Sequence, residues 1–157
     1  SRSGKISQYN YKISRTRIMT IKDIQNEIVN EFSMFDDWME RYEYIIELGK
    51  GLPIIEEQYK TEDNIIKGCQ SKVWVHAEEK DGKVVFTADS DAILTKGIIA
   101  ILIRAFSNQK PAEILEANTD FVDEIGLKEH LSATRANGLV SMIKKIKMYA
   151  LAFEARQ

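Results

Sequence analysis

Apolar residues in the first third of the chain recur at helical spacing, which predicts two helices. Thr20 is a candidate N-cap for the first helix, and Asp23 occupies the capping-box position three residues later. Asp36 or Asp37 can cap the second helix, which the glycines and the proline within residues 49–53 should end. The predicted inward-facing residues are Ile21, Ile24, Ile28 and Phe32 in the first helix, and Trp38, Tyr42, Ile45 and Ile46 in the second.

In the middle of the chain the apolar period changes to two, which predicts a β-hairpin. Alternating runs at residues 72–78 and 83–89 flank Asp81-Gly82, a strong signal for a two-residue turn. With this turn, Ala77 lies opposite Phe86, and the apolar faces of the two strands coincide.

The second half of the chain predicts mainly helices. Ser90 or Asp91 can cap a helix that runs to about Phe106 and is apolar almost all round, so we expect it to be the buried central helix. Gly97 within that helix should allow close packing. Shorter helical segments are predicted at residues 112–117 and 121–125. The last helix should run from about Arg135 to Phe153, with core positions Leu139, Met142, Ile143, Ile146, Ala150 and Phe153.

Length and composition indicate one globular domain with an α+β fold. The chain has 157 residues, 44% of them hydrophobic and 29% charged. We expect a small antiparallel sheet of about three strands, the third within Asn64 to Gly68, packed against several helices. Residues 1–18 carry five basic residues and no acidic one. They predict a basic leader or an added segment ahead of a single domain over residues 19–157.

Charge and cysteine content exclude several classes of function. A formal net charge of −2 argues against nucleic acid as the main partner. The apolar run of the central helix is too short to span a membrane. One cysteine excludes an internal disulfide and fits a reducing cytoplasm. Two histidines make a zinc site improbable, and no other metal site is predicted.

The single cysteine is the strongest candidate for chemistry. Cys69 follows Gly68 and lies between Lys67 and Lys72, where a polar turn leads into the first strand. A glycine beside a reactive atom allows another backbone to come close, and nearby positive charge favours the reactive thiolate. On these features alone, a lone cysteine is more often a small buried hydrophobic residue than a nucleophile.

Several sequence motifs, which follow one another in a fixed order, favour a reactive cysteine over a buried hydrophobic one. The block Gly68-Cys69-Gln70-Ser71, which continues to Val73-Trp74, is followed by Ser90-Asp91-Ala92 and later by Arg135 in front of Asn137-Gly138-Leu139. His130-Leu131-Ser132 lies between them. These motifs resemble the SufE family, including its relative CsdE, over about Asp37 to Ala150. One departure is Ala133, which occupies a place where the family often has proline.

The resemblance implies a SufE/NifU-like two-layer fold and a role as sulfur acceptor, with Cys69 as the catalytic residue. It also implies that Asp91 lies near the cysteine loop and helps to hold it. Arg135 lies near a helix N-terminus, where a cation is unfavourable, and we expect it to pair with Asp91 or with a sulfur anion. The predicted supporting residues are Gly68, Gln70, Ser71, Asp91, His130 and Arg135. When the protein is free, the loop should hide Cys69, and it should swing out when a partner docks.

The resemblance also implies the partners. A SufS- or CsdA-like cysteine desulfurase would hold the pyridoxal phosphate, so no cofactor is expected on this chain, and a SufB-type scaffold or another acceptor would receive the sulfur. The protein should be cytoplasmic and a monomer or a weak dimer. Two alternatives stay open: a stand-alone Cys–His thiol enzyme with His130 or His76 as base, and a non-catalytic interaction module with an inert Cys69.

Overall fold

A computed structural model describes residues 19–156 of the chain. The predicted leader at residues 1–18 lies outside this range. Two single 3₁₀ turns, Glu57–Tyr59 and Glu62–Asn64, precede the sheet. The helices and strands are α1 Ile21–Phe32, α2 Trp38–Gly49, β1 Val73–Lys80, β2 Lys83–Ser90, α3 Ile93–Phe106, α4 Pro111–Glu116, α5 Phe121–Glu124, α6 Leu127–His130 and α7 Ala133–Glu154.

The first two helices begin where their capping residues predict. Thr20 and Asp23 form a reciprocal capping box, and the Asp37 side chain accepts from the backbone N–H of Glu40. Ile28, Phe32 and Ile45 are buried as expected. The second helix, however, buries Tyr44 more deeply than the predicted Tyr42, which is only partly covered.

The hairpin forms with the predicted register. Val75 pairs with Ala88 and Ala77 with Phe86, and all four side chains are buried. The turn residues Asp81 and Gly82 both have positive φ, at 53° and 78°, as a two-residue type I′ turn requires. The α+β fold, with a small antiparallel sheet packed against helices, is therefore confirmed.

The sheet is smaller than predicted. Within residues 19–156 it has two strands, and the expected third strand is reduced to an isolated bridge between Ile65 and Trp74. The reason is local, because Gly68 has a φ of 94° and turns the chain away from the sheet soon after that bridge.

Helix α3 is the buried central helix, and it packs against α1, α2, α7 and β2. Gly97 permits its close approach to α2, since a Cβ atom there would lie 2.2 Å from the backbone oxygen of Ile45. The predicted cap is wrong. Ala92 occupies the N-cap position without a side-chain hydrogen bond, because the Asp91 carboxylate is engaged by the backbone of Lys72.

A buried polar network joins the first three helices. The Tyr44 hydroxyl donates to Glu31, and the Arg104 guanidinium donates to both Glu31 and Glu27. Burial raises the pKa of the Tyr44 phenol well above its ordinary range. The network satisfies polar groups that would otherwise be costly to bury.

Helix α7 covers the other side of the core. Ser132 caps it by accepting from the backbone N–H of Arg135, and the helix begins at Ala133, two residues before the expected start. Its predicted core positions Leu139, Met142, Ile146, Ala150 and Phe153 are buried, and Ile143 packs against the core. Within residues 19–156, no helix is long and apolar enough to cross a membrane.

Candidate functional site

The cysteine loop lies between the isolated bridge at Ile65 and the start of β1. The N–H of Ile66 donates to the carbonyl of Val73 at 2.8 Å, which closes the base of the loop. Gly68 adopts a left-handed conformation that favours glycine, and a Cβ atom there would lie 2.6 Å from Ser141 Oγ. The loop is therefore folded directly onto α7.

Cys69 is seated on a glycine of that helix. Its thiol donates a weak hydrogen bond to the carbonyl oxygen of Gly138, with a sulfur–oxygen distance of 3.7 Å. A Cβ atom at Gly138 would lie only 3.1 Å from Cys69 Sγ. Gly138 thus leaves the space into which the sulfur fits, and the half-buried thiol packs against the hydrophobic core.

The protonation state of the seated cysteine differs from the expectation. Lys67 and Lys72 were expected to favour thiolate, but both are exposed to solvent. Burial instead raises the pKa of the Cys69 thiol. That expectation is wrong for this conformation, because desolvation of the half-buried sulfur disfavours its charged form. The seat therefore holds a neutral thiol.

Asp91 holds the end of the cysteine loop. Its Oδ1 accepts from the backbone N–H of Lys72 at 3.0 Å, and its own N–H donates to the carbonyl of Lys72 at 3.3 Å. Ser90 adds a third bond from its hydroxyl to the same carbonyl at 2.8 Å. Asp91 thus lies beside the loop, in the place that the resemblance implies.

A small cavity of about 20 Å³ opens beside Cys69. Gln70, Ser71 and Arg135, three of the predicted supporting residues, line it together with the cysteine. Arg135 is exposed, and no ion pair with Asp91 is found in the part of the chain that the structure describes. The expected pairing with Asp91 is therefore wrong, whereas Arg135 does line the cavity beside Cys69.

Both histidine rings stack on aromatic side chains outside the cavity at Cys69. His130 stacks on the ring of Trp38, with 4.3 Å between the ring centroids. His76 stacks on Tyr59 at 3.7 Å, and its Nε2 lies 3.4 Å from Glu78 Oε1. Neither histidine lines the cavity at Cys69. The structure thus does not assemble the Cys–His pair that a stand-alone thiol enzyme needs.

The sequence predicted no site role for the residues beneath the loop. Thr95, Ile98 and Met142 line the cavity from α3 and α7, and Gly138 forms the seat. A glycine inside a helix costs about 1 kcal/mol relative to alanine, so Gly138 did carry a signal of close approach. The apolar periodicity gave no sign that the facing group was Cys69, because that contact joins residues far apart in the chain.

Comparison with known proteins gives a consistent assignment. The SufE family model, described as an Fe–S metabolism associated domain, matches residues 26–150. A SufE-like protein of Rhizobium meliloti (strain 1021), named as uncharacterized, is 42% identical over 130 residues, which cover 80% of this chain and 93% of that protein. SufE-like protein 1 of Arabidopsis thaliana, named chloroplastic/mitochondrial, is 39% identical over 131 residues, which cover 83% of this chain and 35% of that protein.

A solved structure shows the same fold. The solution structure of a hypothetical protein from Thermus thermophilus superimposes with a TM-score of 0.70 and 20% identity, covering 83% of this chain and 96% of that one. The family model matches most of the chain, and the Rhizobium relative is matched over nearly its whole length. This chain belongs to the SufE family, whose domain is associated with Fe–S metabolism.

Proposed function

We propose that the protein accepts persulfide sulfur from a pyridoxal-phosphate-dependent cysteine desulfurase onto Cys69, stimulates that enzyme, and passes the sulfur to an iron–sulfur cluster assembly scaffold. The observation that carries the proposal is the seat of Cys69. A half-buried neutral thiol rests on Gly138 through one weak hydrogen bond, at the tip of a glycine-containing loop. The family's association with Fe–S metabolism supports it.

The transfer is a thiol–disulfide type exchange. Cys69 loses its proton, and its thiolate attacks the outer sulfur of the desulfurase persulfide. The sulfur–sulfur bond of the donor breaks, the desulfurase cysteine leaves as thiolate, and a new sulfur–sulfur bond forms on Cys69. One such bond forms for each that breaks, so no oxidant is needed. Delivery repeats the step, with an acceptor thiolate attacking the outer sulfur and Cys69 leaving.

The closed position of Cys69 suits storage of sulfur better than it suits nucleophilic attack. Inside the seat, burial keeps the thiol protonated and therefore unreactive, since the thiolate is the nucleophile. Outside it, the sulfur would be solvated and close to the exposed side chains of Lys67, Lys72 and Arg135, which favour the thiolate. We propose that docking of the desulfurase shifts the loop towards this open state, which requires only that the partner binds the open loop more tightly.

The pyridoxal phosphate in this proposal belongs to the desulfurase, which uses it to release sulfur from free cysteine. The acceptor's own residues supply the nucleophile at Cys69, the anchor at Asp91 and a positive charge at Arg135. A reducing compartment such as the cytoplasm suits a protein whose function depends on one free thiol.

The proposal is tested by mass spectrometry after incubation with a cysteine desulfurase and cysteine. The wild-type protein should gain the mass of one sulfur atom on Cys69, and the desulfurase should consume cysteine faster in its presence. Cys69→Ser is the matched control, because it keeps the size of the side chain and removes the thiol. Sulfur on any other residue, or equal stimulation by Cys69→Ser, would refute the proposal.

A further inference from the structure

One buried hydroxyl group near the site has no hydrogen-bond partner among the residues that the structure describes. Thr95 lies in the first turn of α3 and is 7% exposed, among inward-facing side chains that are otherwise largely apolar. Its hydroxyl makes no hydrogen bond to any residue within 19–156. Leaving such a group unsatisfied costs about 1–3 kcal/mol, so a small acceptor held beside this hydroxyl would be stabilised.

Thr95 lines the same small cavity as Cys69. The rest of the inner lining, Ile98 and Met142, is apolar, and Arg135 is the one charged residue among the described residues that border the cavity. The cavity volume of about 20 Å³ is enough for one water-sized group. A single sulfur atom is only slightly larger than a water molecule.

The geometry points to Thr95 as the hydrogen-bond donor to the outer sulfur of a Cys69 persulfide, lodged in this cavity while the loop is closed. The outer sulfur of a persulfide is readily ionised and accepts hydrogen bonds, whereas the seated thiol already donates to Gly138. The added atom would therefore supply the partner that the Thr95 hydroxyl lacks. Arg135 at the rim adds positive charge towards the same anion.

This inference deepens the proposed function, because it names a residue that retains the sulfur between transfers. It requires a persulfide on Cys69 but no desulfurase, so it can be tested separately. Sodium tetrasulfide supplies the sulfur. The Cys69 thiolate attacks a terminal sulfur of the tetrasulfide dianion, one sulfur atom is transferred to form the persulfide, and trisulfide leaves with both negative charges.

The test compares the lifetime of that persulfide in three proteins. Thr95→Val keeps the shape of the side chain and removes the donor, and Thr95→Ser keeps the donor. After loading and removal of excess tetrasulfide, dithiothreitol is added, and the persulfide remaining on Cys69 is followed by mass spectrometry. Thr95→Val should lose its persulfide about tenfold faster than the wild type, as expected for a hydrogen bond to a charged group. Thr95→Ser should resemble the wild type.

Two further readouts separate this role from a structural one. Thr95→Val should leave the alkylation rate of the unmodified Cys69 thiol unchanged. Its thermal midpoint without persulfide should equal or exceed that of the wild type, because an unpaired buried hydroxyl has been removed. Loading with persulfide should raise the thermal midpoint of the wild type and of Thr95→Ser, but not that of Thr95→Val.

Equal persulfide lifetimes in the wild type and Thr95→Val would overturn the inference, and would indicate that the cavity holds water or nothing in the loaded state. Loading that leaves the thermal midpoint of the wild type unchanged would also contradict it, since the second sulfur would then gain no hydrogen bond in the cavity. If the lifetimes differ as expected but a desulfurase transfers no sulfur to Cys69, the proposed function fails while the inference stands.

Discussion

Replacing Gly138 with alanine should push Cys69 out of its seat. The added Cβ would lie 3.1 Å from Cys69 Sγ, whereas ordinary van der Waals contacts begin at 3.4 Å. The sulfur must therefore retreat by a few tenths of an ångström. It is able to do so because it sits on a surface loop rather than on a packed helix.

Two opposing effects set the size of the expected change in free energy. Overpacking of this kind typically costs about 1–3 kcal/mol, and here it acts only on the closed loop. Alanine in place of glycine stabilises the helix by about 1 kcal/mol, whether the loop is closed or open. The population of the open loop should therefore rise by about 5- to 150-fold, while the free energy of unfolding should change by no more than about 2 kcal/mol.

The assay is the rate of Cys69 alkylation by iodoacetamide under native conditions. Gly138→Ala should react at least about fivefold faster than the wild type, as the population shift requires. Gly51→Ala is the control, because its Cβ would meet nothing closer than the Leu48 carbonyl oxygen at 3.7 Å. A folded Gly138→Ala protein that reacts at the wild-type rate would refute the claim that this glycine forms the seat.

Three further predictions concern the loop and the helix beneath it. Asp91→Ala should accelerate hydrogen exchange of the Lys72 amide about tenfold, because the amide loses its acceptor. Asp91→Asn keeps an acceptor oxygen and should accelerate the exchange less. Equal exchange rates in the wild type and both variants would exclude Asp91 as the anchor of the loop. Because burial raises the pKa of the Cys69 thiol, the stability contributed by its neutral form is complete below the ordinary thiol pKa and is lost as pH rises through the raised value. Chemical denaturation should show the wild type losing stability relative to Cys69→Ser as pH rises from the ordinary thiol pKa through the raised one. A difference in unfolding free energy between the two proteins that stays constant with pH would contradict the raised pKa. Ala133→Pro should stabilise the protein by about 0.4–1 kcal/mol, since Ala133 is the first residue of α7 and Ser132 is already extended, with φ −60° and ψ 159°; a fall in the thermal midpoint would contradict this.

Features set by neighbouring residues were predictable from the sequence. The Asp81-Gly82 turn fixed the register of the hairpin, and Thr20 and Asp37 fixed the starts of two helices. In each case the determining groups lie within a few residues of one another, so no knowledge of the tertiary fold is needed. Gly97 was likewise predictable as a packing glycine, although its partner on α2 was not.

Features set by contacts between distant residues were not predictable from local patterns alone. Asp91 carries the local signature of a helix cap, and only the resemblance to the SufE family placed it at the cysteine loop, where its carboxylate accepts from the backbone N–H of Lys72, 19 residues earlier. The charges beside Cys69 predicted a lowered thiol pKa, and burial against α7 reversed the sign. The cavity at Cys69 joins residues from the loop, α3 and α7, so Thr95 could not be identified before the fold was known.

We propose that Cys69 takes one sulfur atom directly from a desulfurase, and a single-turnover transfer experiment measures this step alone. A desulfurase carrying a preformed persulfide, freed of cysteine, is mixed with this protein, and the masses of both are followed. One sulfur atom should leave the desulfurase for each one that appears on Cys69. Sulfur that stays on the desulfurase, or that reaches Cys69→Ser equally well, would contradict it.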